Sequence, residues 1–381
     1  MKKVAIITNN INCERHTNSS LKVKLFFEKN GWQVIENFNC DYVIIEGCGF
    51  HNHMYEKVRS IIRKVNEAGI SNDKIIIMDC ITKTHEKLLS EFKDIHICQT
   101  GNENLDKLIN ANIPLASIMD INQMSMNEST ILDPDCFYIK VAEGCLCRCT
   151  FCVIKKAKGY IKSVDKSIIL EQYKNAIVHE NRKIFLMGED TFAYGVDRDE
   201  NIIDLIDDML SIDSNVELYF GSLHCGWIQK YADGLLELCR ADVVKKINIG
   251  LQHVNGEILE RMGRGVDFTK VYDVINNIKR INPNIYLSAD IIVGFPGETE
   301  EQFTELVDFV KNDTCFNMFS HYGYSDVEGA QSNNFDNKIS QSEIGMRWSY
   351  LNKAMKERSG YSITFSNDQR LIKEQDCYFV V

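Results

Sequence analysis

The 381-residue chain is long enough for two domains, each with its own buried core. Hydrophobic residues make up 44% of it and charged residues 25%, which is typical of a soluble globular protein and excludes a disordered or fibrous chain. The formal net charge of −11, without a long basic run, disfavours nucleic acid as a partner. The amino terminus turns polar too early for a signal peptide and no long apolar run follows, so we expect a cytoplasmic protein that does not enter the membrane. In such a protein the fourteen cysteines indicate metal or redox chemistry rather than disulfides.

The first 115 residues alternate short apolar runs with helical segments. The runs KVAIIT, YVIIE and KIIIM, which begin at residues 3, 42 and 74, are nearly continuous in apolar side chains, as is typical of buried parallel strands. Between the first two runs, residues 18–29 have the apolar spacing of a helix, and Gly31 marks its expected end. We therefore predict a doubly wound α/β domain with a parallel sheet over residues 1–115.

A polar stretch with two prolines interrupts this alternation, and we predict a linker over residues 116–135. A second series of strands and helices covers residues 136–336. Its predicted strands are FYIKVA (137–142), KIFLM (183–187), VELYF (216–220), KINIG (246–250), IYLSADIIV (285–293) and CFNMFSHY (315–322). Six such units predict a partial, open (β/α)6 version of the (β/α)8 barrel, with its chemistry at the carboxyl ends of the strands. Residues 337–381 are predicted to form one amphipathic helix, roughly over 341–358, and a short tail.

A cysteine array follows the first strand of the second series. Cys145, Cys149 and Cys152 lie in EGCLCRCTFC with the spacing CxxxCxxC. Three thiolates on one loop can hold three irons of a [4Fe–4S] cluster and leave the fourth iron open to chelate S-adenosylmethionine (SAM), whose radical chemistry no side chain supplies. The alternatives are a zinc knuckle, which needs two pairs of ligands, and a chance cluster of buried cysteines. Cys147 lies inside the array without matching the pattern, and we interpret it as a bystander.

Five motifs in chain order resemble those of the radical SAM methylthiotransferase family, and within it the RimO type, which modifies an aspartate of a small-subunit ribosomal protein. They are EGCLCRCTFC at 143–152, GEDTFAYGVD at 188–197, GLQHVNGEILERMGR at 250–264, IIVGFPGETEEQF at 291–303 and YSDVEGAQSNN at 324–334. Members that modify tRNA typically carry an asparagine where Asp190 stands, so the resemblance favours the protein-modifying branch. It implies an enzyme that uses two molecules of SAM. One is cleaved to the radical that abstracts a substrate hydrogen, and the other methylates the sulfur that is transferred.

The resemblance also implies which residues contact SAM. They are Phe151, Gly188, Glu189, Gln252, Val293 and Gly294. Gly188 would let the backbone approach the ligand closely, and Glu189 would pair with the ammonium of its methionine part. Ordinary turns are the alternative for both glycine motifs. The family usually carries an arginine in its third-strand motif where this chain has Ser222, so the anchor of the SAM carboxylate is open.

A second [4Fe–4S] cluster is implied in the amino-terminal domain. Cys48 in YVIIEGCGF and Cys80 in KIIIMDC match two family motifs, and both follow predicted strands, so they would lie at one end of the sheet. Cys13 in NINCERHTNSS matches a third motif only with a short insertion before it. The alternative for each is a buried small hydrophobic residue. The cysteines that match no motif are interpreted as structural: Cys40, Cys98, Cys136, Cys225, Cys239, Cys315 and Cys377.

The resemblance and the acidic charge favour a protein or peptide substrate, modified at an sp3 carbon such as the β-carbon of an aspartate. A ribosomally synthesised precursor peptide and a ribosomal protein are both candidates. Relatives usually end in a small β-barrel called TRAM, and the segment after the predicted last helix is too short for one, which argues further against tRNA. The residues expected to line the substrate pocket are Asp190, Tyr194, Asp197, Tyr322, Tyr324 and Ser325, with buried tyrosines as the alternative.

The implied redox partner is a reducing electron donor such as flavodoxin or ferredoxin. From another class of protein, the alternative is a non-catalytic iron–sulfur electron carrier. Such a carrier needs neither an open iron nor a SAM pocket, so the strand-end motifs argue against it.

Overall fold

The computed structural model describes residues 1–98, 103–124, 132–358 and 378–380. These residues form two α/β units, joined by a segment that includes residues 116–124 and 132–135. The elements of the amino-terminal unit are β1 (Lys3–Thr8), α1 (Glu14–Lys29), β2 (Gln33–Val34), β3 (Tyr42–Glu46), α2 (Asn52–Glu67), β4 (Ile75–Met78), α3 (Ile81–Thr84), α4 (Glu86–Leu89), β5 (His96–Ile97) and α5 (Glu103–Ile109). Short 3-10 helices cover Asn72–Lys74 and Leu115–Ser117.

The amino-terminal sheet is parallel in the order β1-β3-β4-β5, and β2 pairs in parallel with the outer edge of β1. Alternate residues of β1 and β3 pack against α1 on one face, where Phe26 and Phe27 are fully buried. The other residues of these strands pack against α2 on the opposite face. Because both faces are covered, the strands are apolar at nearly every position. The predicted doubly wound domain is confirmed, including the end of α1 next to Gly31.

The second unit contains the longer series of elements. They are β6 (Cys136–Lys140), β7 (Ala142–Glu143), α6 (Ile154–Lys158), β8 (Lys162–Ser163), α7 (Lys166–Val178), β9 (Lys183–Met187), α8 (Ile202–Ile212), β10 (Glu217–His224), α9 (Cys225–Lys230), α10 (Ala232–Arg240), β11 (Val244–Gln252), α11 (Gly256–Arg261), α12 (Phe268–Ile281), β12 (Tyr286–Val293), α13 (Glu300–Asn312), β13 (Met318–Gly323) and α14 (Gln341–Glu357). Further 3-10 helices cover Thr191–Ala193 and Gln331–Asn334. Six parallel strands in the order β6-β9-β10-β11-β12-β13 form an open sheet, so the predicted partial barrel is confirmed.

The two faces of this sheet differ in chemistry. The face toward α7, α8, α12 and α13 is a large apolar core. The opposite face is polar at its centre, where Ser288 donates to Asn248 at 2.7 Å and Asn248 donates to Asp290 at 3.1 Å. Burial raises the pKa of Asp290 to about 6. The concave face is therefore built for polar ligands rather than for packing.

The carboxyl-terminal helix α14 lies where the sequence predicts it and packs over β13, with the Trp348 ring stacked on His321 at a centroid distance of 4.7 Å. The two-residue strands β2, β5 and β8 were not predicted, and neither was the last strand. Residues Tyr378–Phe379 form β14, which pairs antiparallel with the end of β1 in the other unit. Part of the predicted linker, most of the predicted tail and Cys377 lie outside the described residues. Among the described residues, no helix is both long and apolar enough to span a lipid bilayer.

Candidate functional site

The cysteine array lies on the loop between β7 and α6, and this loop is tied to its surroundings. Thr150 donates its backbone N–H to the Met262 carbonyl at 2.9 Å and its hydroxyl to the Arg261 carbonyl at 2.8 Å. The Thr150 carbonyl accepts from the backbone N–H of Ser332 at 2.8 Å. The Cys152 N–H donates to the Cys149 carbonyl at 3.1 Å, which closes the turn between them. The loop is thus held at the carboxyl ends of the strands before any ligand binds.

The three cysteines of the array differ in their electrostatic setting. Hydrogen bonding from Cys147 is the largest cause that lowers the pKa of Cys145 and of Cys149. Arg264 also donates to the Cys149 sulfur at 3.0 Å, which favours its thiolate. Burial raises the pKa of Cys152 to about 12, so this thiol needs a bound cation to ionise. Three thiols on one anchored loop fit the ligand set of a [4Fe–4S] cluster with one open iron.

Cys147 faces the array rather than away from it. Its backbone N–H donates to the Cys145 sulfur at 3.3 Å, and its thiol lies 3.4 Å from the Asp190 carboxylate. Asp190 is buried and also accepts from the Trp227 indole N–H at 2.7 Å. Cys147, Cys145 and Asp190 therefore form one compact group, while the interpretation of Cys147 as a bystander stays a prediction.

The residues predicted to contact SAM lie around this loop. At the end of β9, the Glu189 carboxylate accepts from the backbone N–H of Gly144, directly before Cys145, at 2.7 Å. At the end of β11, Gln252 adopts a left-handed φ of 73° next to an irregularity in strand pairing, a feature common beside active sites. Phe151 packs against a small apolar cluster between α11 and α14.

Gly294 shows why a glycine is needed at the end of β12. Its φ is +77°, and a Cβ there would come within 2.5 Å of the Ile344 side chain on α14. Its backbone N–H donates to the Glu298 carboxylate at 2.6 Å. The preceding Val293 is fully buried, so only its backbone is available at the strand end. This tight turn keeps the edge of the site close to α14.

The three amino-terminal cysteines come together from three separate segments. Cys13 directly precedes α1, Cys48 follows β3 and Cys80 follows β4. Burial raises the pKa of all three thiols, that of Cys13 to about 11, and the charge of Cys48 contributes to the rise at both of the others. The Ile81 N–H donates to the Gly47 carbonyl at 2.9 Å, which holds the segments of Cys80 and Cys48 side by side. Three half-buried thiols on neighbouring segments fit the ligand set of a second iron–sulfur cluster.

A buried ionic network connects the two cysteine sets. Asp79, which precedes Cys80, accepts from Lys158 on α6 at 2.5 Å and contacts the His16 ring at 2.6 Å. Burial is the largest influence on the Asp79 carboxyl, but the Lys158 charge and the His16 contact outweigh it and hold its pKa below its usual range. Lys158 belongs to the second unit and Asp79 to the first, so this pair fixes their relative position at the site.

The chain is similar in sequence to two protein families and to characterised enzymes. Residues 139–310 match the Radical SAM superfamily, and residues 3–99 match the Uncharacterized protein family UPF0004. The ribosomal protein uS12 methylthiotransferase RimO of Francisella tularensis subsp. novicida is 30% identical over 351 residues, which cover 87% of this chain and 77% of that protein. The chain belongs to the radical SAM methylthiotransferase family. It is an enzyme of this type, with SAM and [4Fe–4S] clusters as cofactors.

This methylthiotransferase also resembles a tRNA-modifying relative. The tRNA-2-methylthio-N(6)-dimethylallyladenosine synthase of Lawsonia intracellularis is 26% identical over 355 residues, which cover 86% of this chain and 77% of that protein. Among solved structures, the radical SAM methyltransferase TsrM of Kitasatospora setae, with cobalamin and a [4Fe–4S] cluster bound, has a TM-score of 0.55 at 13% identity. That alignment covers 84% of this chain and 75% of TsrM, and it supports the fold alone.

Two of the predicted substrate residues of the methylthiotransferase are packed in its cores. Tyr194 is fully buried in the helix-facing core and donates its hydroxyl to Glu200 at 2.8 Å. Tyr324 is buried beside Phe295, and its hydroxyl lies 2.9 Å from the Ser332 hydroxyl. Both side chains are buried, as in the alternative of buried tyrosines, and their contact with substrate stays a prediction.

The other predicted substrate residues contact residues on or near the cysteine-bearing loops and β8. Tyr322 stacks on His51, which follows the Cys48 loop, at a centroid distance of 5.9 Å. Ser325 accepts from the backbone N–H of Asn52 at 3.2 Å. Asp197 accepts from the backbone N–H of Ser163 at 3.0 Å, and Asp190 lies against Cys147 as described above. Their contact with substrate stays a prediction.

Sequence reasoning predicted no role for three charged residues of the methylthiotransferase site. They are Arg15, Asp79 and Arg264. Each lies next to a predicted ligand or within a family motif, and this position in the sequence is the one feature that could have indicated a role. Their partners are far away along the chain, however, and no local pattern identifies them.

Proposed function

We propose that this enzyme transfers a methylthio group to an sp3 carbon of a protein or peptide. In this proposal Cys145, Cys149 and Cys152 bind the cluster that holds SAM. The auxiliary cluster is bound by Cys13, Cys48 and Cys80. The observation that carries the proposal is the approach of the two cysteine sets across the unit boundary, where Lys158 of the array's own helix binds Asp79, the neighbour of Cys80. Radical generation and sulfur supply must meet at one substrate carbon, and this approach provides for it.

The bound cofactors supply reductive cleavage of SAM to a carbon-centred radical, a sulfur atom and a methyl group. The chain's own residues hold and shield these groups. Arg264 stabilises Cys149 as a thiolate ligand, and Glu189 fixes the backbone at Gly144 where the ligand loop begins. Cys13, Cys48 and Cys80 are half-buried, which limits the access of water to the proposed auxiliary site.

Three features support a polypeptide substrate. Relatives named as ribosomal protein uS12 methylthiotransferases match 86–92% of the chain at 25–30% identity. Asp190 stands where tRNA-modifying relatives typically carry an asparagine. The net charge of −11 opposes a polyanion such as tRNA. A ribosomal protein and a short precursor peptide share this chemistry, and flavodoxin or ferredoxin would supply the electrons. The Lawsonia relative makes tRNA the competing substrate.

The test offers both substrate classes to the same preparation. The anaerobically reconstituted enzyme, with SAM and a reductant, is incubated with ribosomal protein uS12, with peptides encoded beside its gene, and with total tRNA. We expect mass spectrometry to find a polypeptide in which SCH3 replaces one hydrogen. When the target carbon carries deuterium, the label should appear in 5′-deoxyadenosine, because hydrogen abstraction precedes C–S bond formation.

Binding to tRNA should be weak and lost at moderate salt, as for nonspecific phosphate contacts. Methylthiolated adenosine in the tRNA together with unmodified polypeptides would overturn the choice of substrate. It would leave the assignment of the cysteines untouched.

A further inference from the structure

Arg15 belongs to the amino-terminal unit, but its guanidinium lies in the SAM site of the other unit. The residue is in the first turn of α1, two positions after Cys13. Its Nη1 donates to the Gly188 carbonyl at 2.8 Å, to the Ser222 hydroxyl at 3.1 Å and to the carboxylate of the neighbouring Glu14 at 3.1 Å. Its Nε lies 3.8 Å from the Glu189 carboxylate, and its side chain is 21% exposed. A cation from one unit is therefore inserted at the ends of β9 and β10 of the other.

We propose that Arg15 anchors the carboxylate of the methionine part of SAM. This inference rests on the proposed position of SAM beside the array. A planar guanidinium with five N–H donors matches a carboxylate in a two-point hydrogen-bonded pair. The neighbouring carboxylate fits the rest of the methionine part, because Glu189, 3.8 Å from Arg15, would face its ammonium group. The adjacent cation and anion thus complement a zwitterion.

Other cations around the site are committed to other partners. Arg264 donates to the Cys149 sulfur at 3.0 Å and also to the Gly250 carbonyl. Lys158 is bound to Asp79, and Lys155 donates to the Leu146 carbonyl at 2.8 Å. By contrast, the Nη2 of Arg15 has a single long contact within the described part of the chain, 3.7 Å to the Cys13 sulfur. This nitrogen is the donor that remains available to a ligand.

Ser222 explains why the cation comes from outside the barrel. It occupies the β10 position where radical SAM methylthiotransferases usually carry an arginine. Its small side chain leaves room for the guanidinium of Arg15. An arginine restored at position 222 should therefore replace Arg15. Because Arg15 follows Cys13 closely, this arrangement also ties SAM binding to the segment that carries an auxiliary ligand.

The test compares SAM with decarboxylated SAM, which lacks only the proposed contact group. Affinities are measured by equilibrium dialysis on the anaerobically reconstituted full chain. We expect Arg15→Ala to weaken SAM binding about 10- to 100-fold, with little effect on decarboxylated SAM, because it removes a charge-assisted hydrogen bond. Arg15→Gln, which keeps donors for Gly188 and Ser222 but lacks the charge, should behave similarly. The iron content of both variants should equal that of the wild type.

Two further variants make the result decisive. Arg15→Ala combined with Ser222→Arg should recover most of the preference for SAM over decarboxylated SAM. Arg240→Ala, which removes an exposed arginine that forms an ion pair with Glu237 on the same helix, should bind both ligands as the wild type does. An unchanged preference in Arg15→Ala and Arg15→Gln would overturn the inference. Because the readout is binding, failure of the proposed methylthio transfer would leave this result interpretable.

Discussion

The candidate ligand cysteines lie in two different electrostatic settings. Cys149 has a guanidinium 3.0 Å from its sulfur, and its pKa is held well below the usual range, with hydrogen bonding from Cys147 as the largest cause. Cys13 and Cys80 are half-buried, and burial raises their pKa values, as it raises that of Cys152 in the array. A thiol of raised pKa ionises when a metal takes the place of its proton, so binding of a cluster by these cysteines must release protons. Cys149 is closer to its ligand form before any metal arrives.

The separate positions of the two sets predict that the two half-reactions can be separated. Cys48→Ala or Cys80→Ala should retain reductive cleavage of SAM to 5′-deoxyadenosine, because the array on the β7–α6 loop is intact. Both variants should lose methylthio transfer, because a ligand of the sulfur-supplying cluster is missing. Chromatography of 5′-deoxyadenosine and mass spectrometry of the substrate measure the two activities in one reaction.

Cys147→Ala is the matched control for this experiment, since it removes a thiol that contacts Cys145 and Asp190 without being a predicted ligand. Both activities should stay near those of the wild type. Product formation at the wild-type rate by Cys48→Ala would refute the assignment of the auxiliary ligands. Loss of SAM cleavage in Cys147→Ala would show that this thiol is not a bystander.

The cysteine sets could be predicted from the sequence because their spacing and the strands before them form local patterns. Arg15 could not be predicted. It contacts Gly188 and Ser222, which lie 173 and 207 positions further along the chain. Only the packing of α1 against the second unit brings them together. Tyr194 is fully buried, and the direction in which its side chain points is likewise decided by packing rather than by sequence.

Among the elements, long apolar strands were predicted well and strand ends poorly. The first strand was predicted with its observed bounds, Lys3–Thr8, because every residue after Lys3 is buried. The last barrel strand begins at Met318, later than predicted, because Asp313 accepts from the backbone N–H groups of Cys315 and Phe316 and holds them in a turn. The two-residue strand β14 has no periodicity of its own, and pairing with β1 defines it.

Helix α14 is attached to the end of β12 through a buried ionic network, which predicts a large effect on stability. Arg347 donates to the Glu298 carboxylate at 2.7 Å, and Glu298 also contacts His253 at 3.1 Å and the backbone N–H of Gly294. Arg347→Ala would leave the buried carboxylate without its cation. We expect it to lower the free energy of unfolding by about 3–5 kcal/mol. Urea unfolding under anaerobic, reducing conditions measures the change.

Lys353→Ala on the same helix is the matched control. Lys353 forms an exposed pair with Glu357, four residues further along, at 3.9 Å. Its removal should cost less than about 0.5 kcal/mol, because exposed pairs of this kind are weak. Equal costs for Arg347→Ala and Lys353→Ala would contradict the role given to the buried network.

At the scale of the whole molecule, the two units are joined by contacts that surround the site. Lys158 binds Asp79, Arg15 binds the Gly188 carbonyl, and Asn52 contacts Ser325. Strand β14 adds a segment from beyond α14 to the amino-terminal sheet. These contacts come from different elements, so they restrict rotation as well as separation of the units. The substrate carbon must then reach both candidate clusters within one fixed space.

Iron content tests whether one chain holds both clusters. The reconstituted wild-type protein should contain about eight irons, from two [4Fe–4S] clusters. Replacing Cys145, Cys149 and Cys152 together with alanine should leave about four, because the amino-terminal thiols belong to separate segments around β1, β3 and β4 and stay in place. Colorimetric iron and sulfide assays give the counts, and the Cys147→Ala protein serves as the control with an unchanged content. A wild-type content of about four irons would exclude the two-cluster arrangement, because each proposed cluster contains four.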